Sequence, residues 1–153
     1  MPRSILIRPA LVFTGLNLGW ELLQLPLYTI WWTEPWSRIV FALLHCTAGD
    51  LMIGSLALCA ALFLVGQGWP HGPRTRLRVI VLTTVLGVGY TVASEWLNVV
   101  VRQTWAYTQA MPRLPPFGTG LSPVLQWLLL PGLALYLAAG AGSEPCRKTA
   151  RNP

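Results

Sequence analysis

The chain has 153 residues, of which 54% are hydrophobic and only 10% are charged, whereas a soluble domain usually carries about 25% charged residues. This imbalance excludes an ordinary soluble globular domain. The apolar residues do not form short alternating runs; they gather in four long stretches that are almost free of charge.

Each of these stretches is long enough to cross a bilayer, because a hydrocarbon core about 30 Å thick needs roughly 20 helical residues. In chain order they cover residues 10–32, 39–65, 79–101 and 121–140. A transmembrane β-barrel would instead show strands of about ten residues with alternating polarity, and runs such as 56–64 do not alternate. The sequence therefore predicts an all-α integral membrane protein, a single domain with four transmembrane helices in one bundle.

The connection between the third and fourth helices, residues 102–120, differs from an ordinary exposed loop. It contains three prolines and several large apolar side chains, which make it stiff and unusually apolar. We expect residues 105–117 to pack onto the bundle and to cover a cavity there. The tail, residues 143–153, is predicted to be poorly ordered.

The net charge of +6 is explained by its distribution along the chain. Eight of the eleven Lys and Arg residues lie before the first helix, between the second and third, or in the tail, and three lie in the other two connections. By the positive-inside rule both termini are cytoplasmic. We therefore expect a multi-pass protein of a bacterial cytoplasmic membrane, surrounded by membrane lipids, with no nucleic-acid partner.

Each of the first three helices carries one carboxylate, namely Glu21, Asp50 and Glu95. An ionisable group inside a membrane is costly and is a functional candidate by default. His45 joins them as a candidate, although it is offset from Asp50 by about 140° around its helix. We predict that these four residues are catalytic, with Glu95 the most closely tied to function and Glu21 its partner across a cavity.

Polar and aromatic side chains converge with these acids in the outer half of the predicted bundle. The predicted ligand-binding residues are Gln24, Tyr28, Tyr90, Asn98, Trp105, Tyr107, Gln126 and Trp127. A structural interpretation stays open for the amides, because such groups often form interhelical hydrogen bonds worth about 0.6 kcal/mol each.

This combination suits proton addition to and removal from a hydrophobic substrate such as an isoprenoid. Burial favours the uncharged form of a carboxyl group, which can then act as an acid, and aromatic faces can stabilise a cationic intermediate. Metal binding by the acids, His45 and Met52 is an alternative, but no H-x-x-x-H or E-x-x-H spacing supports it,. We predict neither a metal nor a cofactor.

Three short segments resemble the EXPERA group of small four-helix membrane proteins, which includes sterol isomerases. They are residues 46–50, with Asp50 at the end, residues 89–95, with Gly89-Tyr90 leading to Ser94-Glu95, and Gln126-Trp127 followed by Pro131. The resemblance implies a ligand cavity containing Glu95, Gln126 and Trp127. The chain departs from the family's pattern in having Ser94 for Thr and Gln126 for Asn, and it lacks the family's second acidic residue after the Gly-Tyr pair.

The resulting hypothesis is a membrane protein that binds or converts a hydrophobic, lipid-like small molecule by acid–base chemistry, with isomerase-like or cyclase-like activity. A proton- or ion-coupled transporter and a noncatalytic subunit of a membrane complex are the alternatives, and a homo-oligomer is compatible with each. A polar path through Asn17 and Thr84 to the inner side would favour transport, whereas a cavity closed on that side would favour an enzyme or a binding protein.

The charge distribution gives a direct test of topology. Reporter fusions at Gly72 and Ser143 are expected to be cytoplasmic and a fusion at Thr108 to be external, since eight of the eleven basic residues then face the cytoplasm. Paired alkaline phosphatase and fluorescent protein fusions measure this. The reverse activity pattern would contradict the predicted orientation.

Overall fold

The computed structural model describes residues 4–69 and 72–140, and the fold is mostly helical (78%). In chain order the elements are α1 (Ser4–Gln24), a 3-10 turn (Leu25–Leu27), α2 (Ile30–Thr33), α3 (Trp36–Val65), α4 (Pro73–Glu95), a π-helical continuation (Trp96–Val101), β1 (Arg113–Leu114), β2 (Thr119–Gly120) and α5 (Leu121–Gly140).

Three of the described helices are long and apolar enough to cross a membrane. They are α3, α4 with its π-helical continuation, and α5, with mean hydropathies of 2.1, 1.6 and 1.6. Helix α1, which contains Arg8, Asn17 and Glu21, is not one of these three. The prediction of long apolar helices is confirmed for these three.

The first predicted helix, residues 10–32, is wrong as a continuous element. Helix α1 begins earlier, at Ser4, and ends at Gln24, after which the chain makes a 3-10 turn and reaches an extended Tyr28. Pro26 lies in that turn. Because proline has no N–H to donate to the carbonyl four residues earlier, an α-helix cannot pass through it without losing a hydrogen bond.

The other helix bounds lie closer to the prediction. Helices α3 and α4 begin at Trp36 and Pro73, three and six residues before the predicted starts, and α5 has the predicted bounds. The loop before α5 contains an antiparallel hairpin in which Arg113 pairs with Gly120 and Leu114 with Thr119. The tail predicted to be poorly ordered, 143–153, lies outside the described residues.

The four long helices pack in a ring. Helix α1 contacts α3 and α5, and α4 contacts the same two helices from the other side. We call the end of the ring near residues 102–120 the loop end, and the end near the α3–α4 connection the turn end. An apolar core of Phe13, Trp127, Leu130 and Ala134 lies inside the ring.

Small residues let these helices approach closely. The buried positions of α4 recur every four residues and include Gly87, which lies directly against the indole ring of Trp127. Trp127 is only 2% exposed, so its ring has no room to move away. Gly87 is therefore required by packing, because a Cβ atom at this position would overlap the ring.

The outside of the ring is covered with large apolar side chains. Phe63 is 88% exposed and Leu23 is 80% exposed. Monomeric soluble proteins rarely expose contiguous apolar surface of this kind, so this exterior is compatible with a multi-pass membrane protein.

The contact between Gly87 and Trp127 makes a stability prediction with a control in the same helix. Gly87→Ala is expected to destabilise the fold by about 1–3 kcal/mol, because overpacking forces neighbouring groups to shift. Gly89→Ala is expected to be neutral or slightly stabilising, since a Cβ there meets nothing within 4 Å and alanine favours the helix. Thermal unfolding in detergent measures both. Equal midpoints for the two variants would contradict the packing argument.

Candidate functional site

A cavity of about 350 Å³ lies at the loop end between α1, α3, α4 and α5. Eleven of the twelve predicted site residues line it: Glu21, Gln24, Tyr28, His45, Asp50, Tyr90, Glu95, Asn98, Trp105, Gln126 and Trp127. The twelfth, Tyr107, lies behind Glu95 in the loop. The structure thus brings together residues from four helices and a loop that are far apart in sequence.

The centre of the cavity wall is one amide group. Gln126 Nε2 donates to Asp50 Oδ2 at 2.8 Å, to Asn17 Oδ1 at 2.9 Å and to Glu21 Oε1 at 3.1 Å. The two carboxyls also lie within hydrogen-bonding reach of each other. An amide nitrogen has only two hydrogens for these three acceptors, so a proton between Glu21 and Asp50 would complete the network.

A second amide supports the same acid. Gln24 Nε2 donates to Glu21 Oε1 at 2.9 Å and lies 3.3 Å from Gln126 Oε1, while Gln24 Oε1 accepts from Ser122 Oγ at 2.8 Å. The Trp20 indole in turn donates to Ser122 at 3.2 Å. Glu21 is 8% exposed and Gln126 is 2% exposed, so these side chains are fixed in one arrangement.

Glu95 is not the partner of Glu21 that we expected. Its carboxyl group accepts a hydrogen bond from the Tyr107 hydroxyl, and the buried Nε1 atom of the half-buried Trp105 lies beside it without a hydrogen bond of good geometry. Glu21 pairs with Asp50 instead. The prediction was wrong because helical spacing gives the face on which a residue lies but not which facing residue it meets.

Tyr107 anchors the loop to the helices. Its hydroxyl also accepts from the Gly120 backbone at 3.0 Å, its ring lies 5.3 Å from that of Tyr28, and it is 5% exposed. The Arg113 guanidinium also lies over this ring, 5.5 Å from its centroid. Tyr107 therefore joins α4, the hairpin and the segment after α1.

The loop also bonds through its backbone to the segment after α1. The Thr29 N–H donates to the Ala106 carbonyl at 2.9 Å, and the Thr108 N–H donates to the Leu27 carbonyl at 2.9 Å. Met111 is 3% exposed, whereas Phe117 is 52% exposed. The prediction that this loop packs onto the bundle is confirmed for its first half and for the hairpin.

His45 and Tyr90 lie at the rim of the cavity. Both are exposed, on α3 and α4 respectively, and the His45 ring stacks on Phe41 with a centroid distance of 5.6 Å. The Asn98 side chain makes a local hydrogen bond, in which its Nδ2 donates to the Ser94 carbonyl at 2.9 Å. The cavity is therefore open between α3 and α4, and His45 does not join the carboxyl network.

Apolar side chains close the cavity toward the turn end. Beyond Asn17, which is 1% exposed, the rings of Phe13 and Trp127 meet at a centroid distance of 5.9 Å. Thr84, which would belong to the polar path of a transporter, does not line the cavity. No continuous polar path therefore crosses the part of the ring that the structure describes.

Asn17 and Ser122 belong to the network, but sequence reasoning did not select them. Asn17 shares a helical face with Glu21, and Ser122 shares one with Gln126. This spacing could have identified both as members of the network. Among the residues that the structure describes, no Lys or Arg lines the cavity. Within residues 4–69 and 72–140, no group of three or more His, Cys, Asp or Glu side chains is placed to hold a metal ion.

Comparison of the chain with protein-family models, curated proteins and solved structures gives no match. The resemblance to the EXPERA group therefore stays a hypothesis.

The environment of Tyr107 makes a pH-dependent prediction. Burial, and next the neighbouring Glu95 carboxyl, raise the pKa of Tyr107 above its ordinary value. A phenol whose pKa is raised by folding stabilises the protein fully below its unfolded pKa of about 10, and this contribution is lost as the pH rises through the folded pKa.

Tyr107→Phe tests this role. The variant is expected to lose about 1–3 kcal/mol below pH ~10, because Glu95 and the Gly120 N–H lose their partner. The difference from the native protein should shrink at higher pH, and the tyrosinate absorbance near 295 nm should lose a late-titrating component. Tyr136→Phe is the control, since Tyr136 is 74% exposed. A difference that grows with pH would contradict the assignment.

Proposed function

We propose that the chain is a four-helix integral membrane protein of a bacterial cytoplasmic membrane, with cytoplasmic termini, which converts a hydrophobic small molecule by proton addition and removal. The cavity then lies in the outer half of the bilayer. The observation that carries the proposal is the pairing of Glu21 and Asp50 through the Gln126 amide within a cavity lined by four helices.

The two acids have different positions in the cavity and therefore different roles. Glu21 is 8% exposed and accepts from two amides, whereas Asp50 is half-buried and lines the more open side. Asp50 is the group that exchanges a proton with the substrate. Glu21 is the partner that shares this proton, and Gln126 holds both carboxyls in position, so little reorganisation is needed during the reaction.

The lining limits the substrate class. Its described residues include several aromatic side chains, such as Tyr28, Trp105 and Trp127, and no Lys or Arg. An anionic head group would meet carboxyls without a compensating cation, whereas a neutral isoprenoid or similar lipid fits the apolar walls. Aromatic faces and carboxylates stabilise a positive charge that develops during protonation. Such a molecule reaches the cavity through the opening between α3 and α4.

Glu95 also lines the cavity, but its role differs from those of Asp50 and Glu21. Its hydrogen bond to Tyr107 ties it to the loop, so the Glu95 carboxyl group holds the loop against the helices and keeps the cavity in shape. The EXPERA resemblance assigns Glu95, Gln126 and Trp127 to a ligand cavity, and their common position along the lining supports this assignment.

The enzyme is favoured over a transporter by the apolar layer of Phe13 and Trp127. An ion or proton crossing this layer would need polar partners, because an unpartnered charge in an apolar interior is very costly. An enzyme with a cavity closed at the turn end does not require polar groups in this layer.

Deuterium incorporation tests the chemistry without knowledge of the substrate. The protein in nanodiscs is incubated in D₂O with a neutral-lipid extract of the source organism, and lipid masses are measured. Proton addition and removal at carbon would add deuterium to one lipid species. Asp50→Asn, which keeps the side-chain shape, should abolish this incorporation, and Gly89→Ala, outside the cavity lining, should retain it.

Two outcomes would contradict the proposal. Either no lipid gains deuterium with the native protein, or folded Asp50→Asn incorporates deuterium at the native rate. The first result would leave a binding function but remove the acid–base chemistry, whereas the second would remove Asp50 from the proton transfer.

A further inference from the structure

Two buried hydrogen-bonding groups in the wall of the loop-end cavity have no partner. Thr91 on α4 and Trp127 on α5 both line this cavity, and among the described residues neither the Thr91 hydroxyl nor the Trp127 indole N–H makes a hydrogen bond. Thr91 is 7% exposed and Trp127 is 2% exposed. Buried polar groups in native proteins almost always have a partner, so these exceptions require an explanation.

Both atoms can be reached from the cavity. Some unpaired polar atoms of the described residues are completely covered, and they belong to Trp69, Thr83, Trp105 and Thr119. Thr91 Oγ1 and Trp127 Nε1 are not among them, so each keeps accessible surface. Since both residues are buried inside the ring and line the cavity, the cavity is the space from which a ligand reaches these atoms.

Other helical threonines show that an internal partner is usually available. The hydroxyls of Thr14 and Thr47 each donate, at 2.8 Å, to the carbonyl four residues earlier, as is common for threonine in helices. Thr91 does not make the equivalent bond to the Gly87 carbonyl. Its hydroxyl is therefore free to bind a molecule in the cavity.

The two unpaired groups lie in the same corner of the cavity. The Trp127 indole lies against Gly87, which is one helical turn from Thr91 on the buried face of α4, or about 6 Å along the helix axis. This corner is formed by α4 and α5. Glu21 and Asp50 belong to α1 and α3, which form the opposite side of the ring.

We propose that this corner binds an oxygen atom of the substrate, which is therefore a neutral, lipid-like molecule with a carbonyl, ether or hydroxyl oxygen. The Trp127 N–H only donates and the Thr91 hydroxyl also donates, so an oxygen with two lone pairs satisfies both. The inference rests on the proposed function, because the reacting carbon then lies across the cavity, beside Asp50. That carbon is separated from the oxygen by several bonds.

The size of the cavity agrees with such a molecule. A dry cavity of about 150 Å³ in another protein binds benzene, so a cavity of about 350 Å³ accommodates a molecule about twice as large. A second cavity, of about 190 Å³, lies nearer the turn end between the same four helices. The two linings share no residue, so binding in each cavity is measured separately.

Methyl NMR of the full chain in detergent micelles measures this binding. The protein is labelled at isoleucine and leucine methyl groups and titrated with cyclododecanone or with cyclododecane, which differ only in one carbonyl group. Ile30 and Ile53 report the loop-end cavity, and Leu58 and Leu135 report the second cavity. The ketone should bind about 2- to 10-fold more tightly relative to the hydrocarbon in the native protein than in Thr91→Val, as expected for one hydrogen bond.

The indole N–H of Trp127 gives a second measurement that needs no variant. Its proton resonance should move downfield with cyclododecanone and much less with cyclododecane, because a hydrogen bond deshields the donor proton. The Trp20 indole, which already donates to Ser122 at 3.2 Å, should respond to neither probe.

Matched variants separate recognition from general effects. Thr84→Val removes a hydroxyl from the same helix outside the lining and should keep the native ratio of affinities. Thr91→Ser retains a hydroxyl and should also keep the preference for the ketone. Partition of the probes into micelles cancels, because every variant is compared with the same two probes.

Four outcomes would overturn the proposal: equal ratios in the native protein and Thr91→Val, a Trp127 indole resonance that the ketone does not move, shifts confined to Leu58 and Leu135, or no shift of Ile30 and Ile53 with either probe. If Thr91→Val does not fold, the indole resonance of the native protein decides.

The two proposals can fail separately, because this experiment measures binding and not turnover. Ketone recognition without deuterium incorporation into any lipid would remove the acid–base chemistry and leave the recognition site. Deuterium incorporation with equal ratios in the native protein and Thr91→Val would remove the recognition site and leave the chemistry.

Discussion

The fold around the candidate site depends on the buried amide of Gln126. Its nitrogen lies within 3.1 Å of oxygens from α1 and α3, while its own helix contributes Trp127 to the apolar core. Leaving Glu21 or Asp50 without this donor would bury a carboxyl with fewer partners, which is costly. One side chain on α5 thus holds α1 and α3 in register and fixes the geometry on which any chemistry in the cavity depends.

The loop end depends on a second polar contact of the same kind. Tyr107 satisfies Glu95 and is itself satisfied by the hairpin backbone, so the acid on α4 has a partner only when the loop is in place. Loop and helix ends therefore support each other. The turn end has a different construction, in which a small residue, Gly54, allows close packing against the ring of Phe13. Hydrogen bonds between buried polar groups therefore stabilise the loop end of the ring, and close packing of side chains stabilises the turn end.

This division also separates the two cavities. The acids and amides surround the one at the loop end, whereas mainly apolar walls surround the one at the turn end. Phe13 belongs to the boundary between them, because its ring contacts Gly54 and faces Trp127. A ligand in one cavity would therefore contact groups unlike those in the other.

The sequence by itself determined the long apolar helices and the convergence of the site residues. Length and hydropathy predict helices because the backbone must satisfy its own hydrogen bonds in an apolar environment, and helical spacing places Glu21, Gln24 and Asn17 on one face. It did not predict the end of α1, where Pro26 and the extended Tyr28 interrupt the apolar stretch, since hydropathy is insensitive to one lost hydrogen bond.

Only the tertiary structure decided which polar groups meet. Glu21 pairs with Asp50 and Glu95 with Tyr107, because the rotation and depth of each helix are set by packing against its neighbours, through contacts such as that between Gly87 and Trp127. The same packing left Thr83 without a partner, while Thr14 and Thr47 bond within their own helices. Spacing along a single helix contains no information on these choices, since the partners lie on other elements.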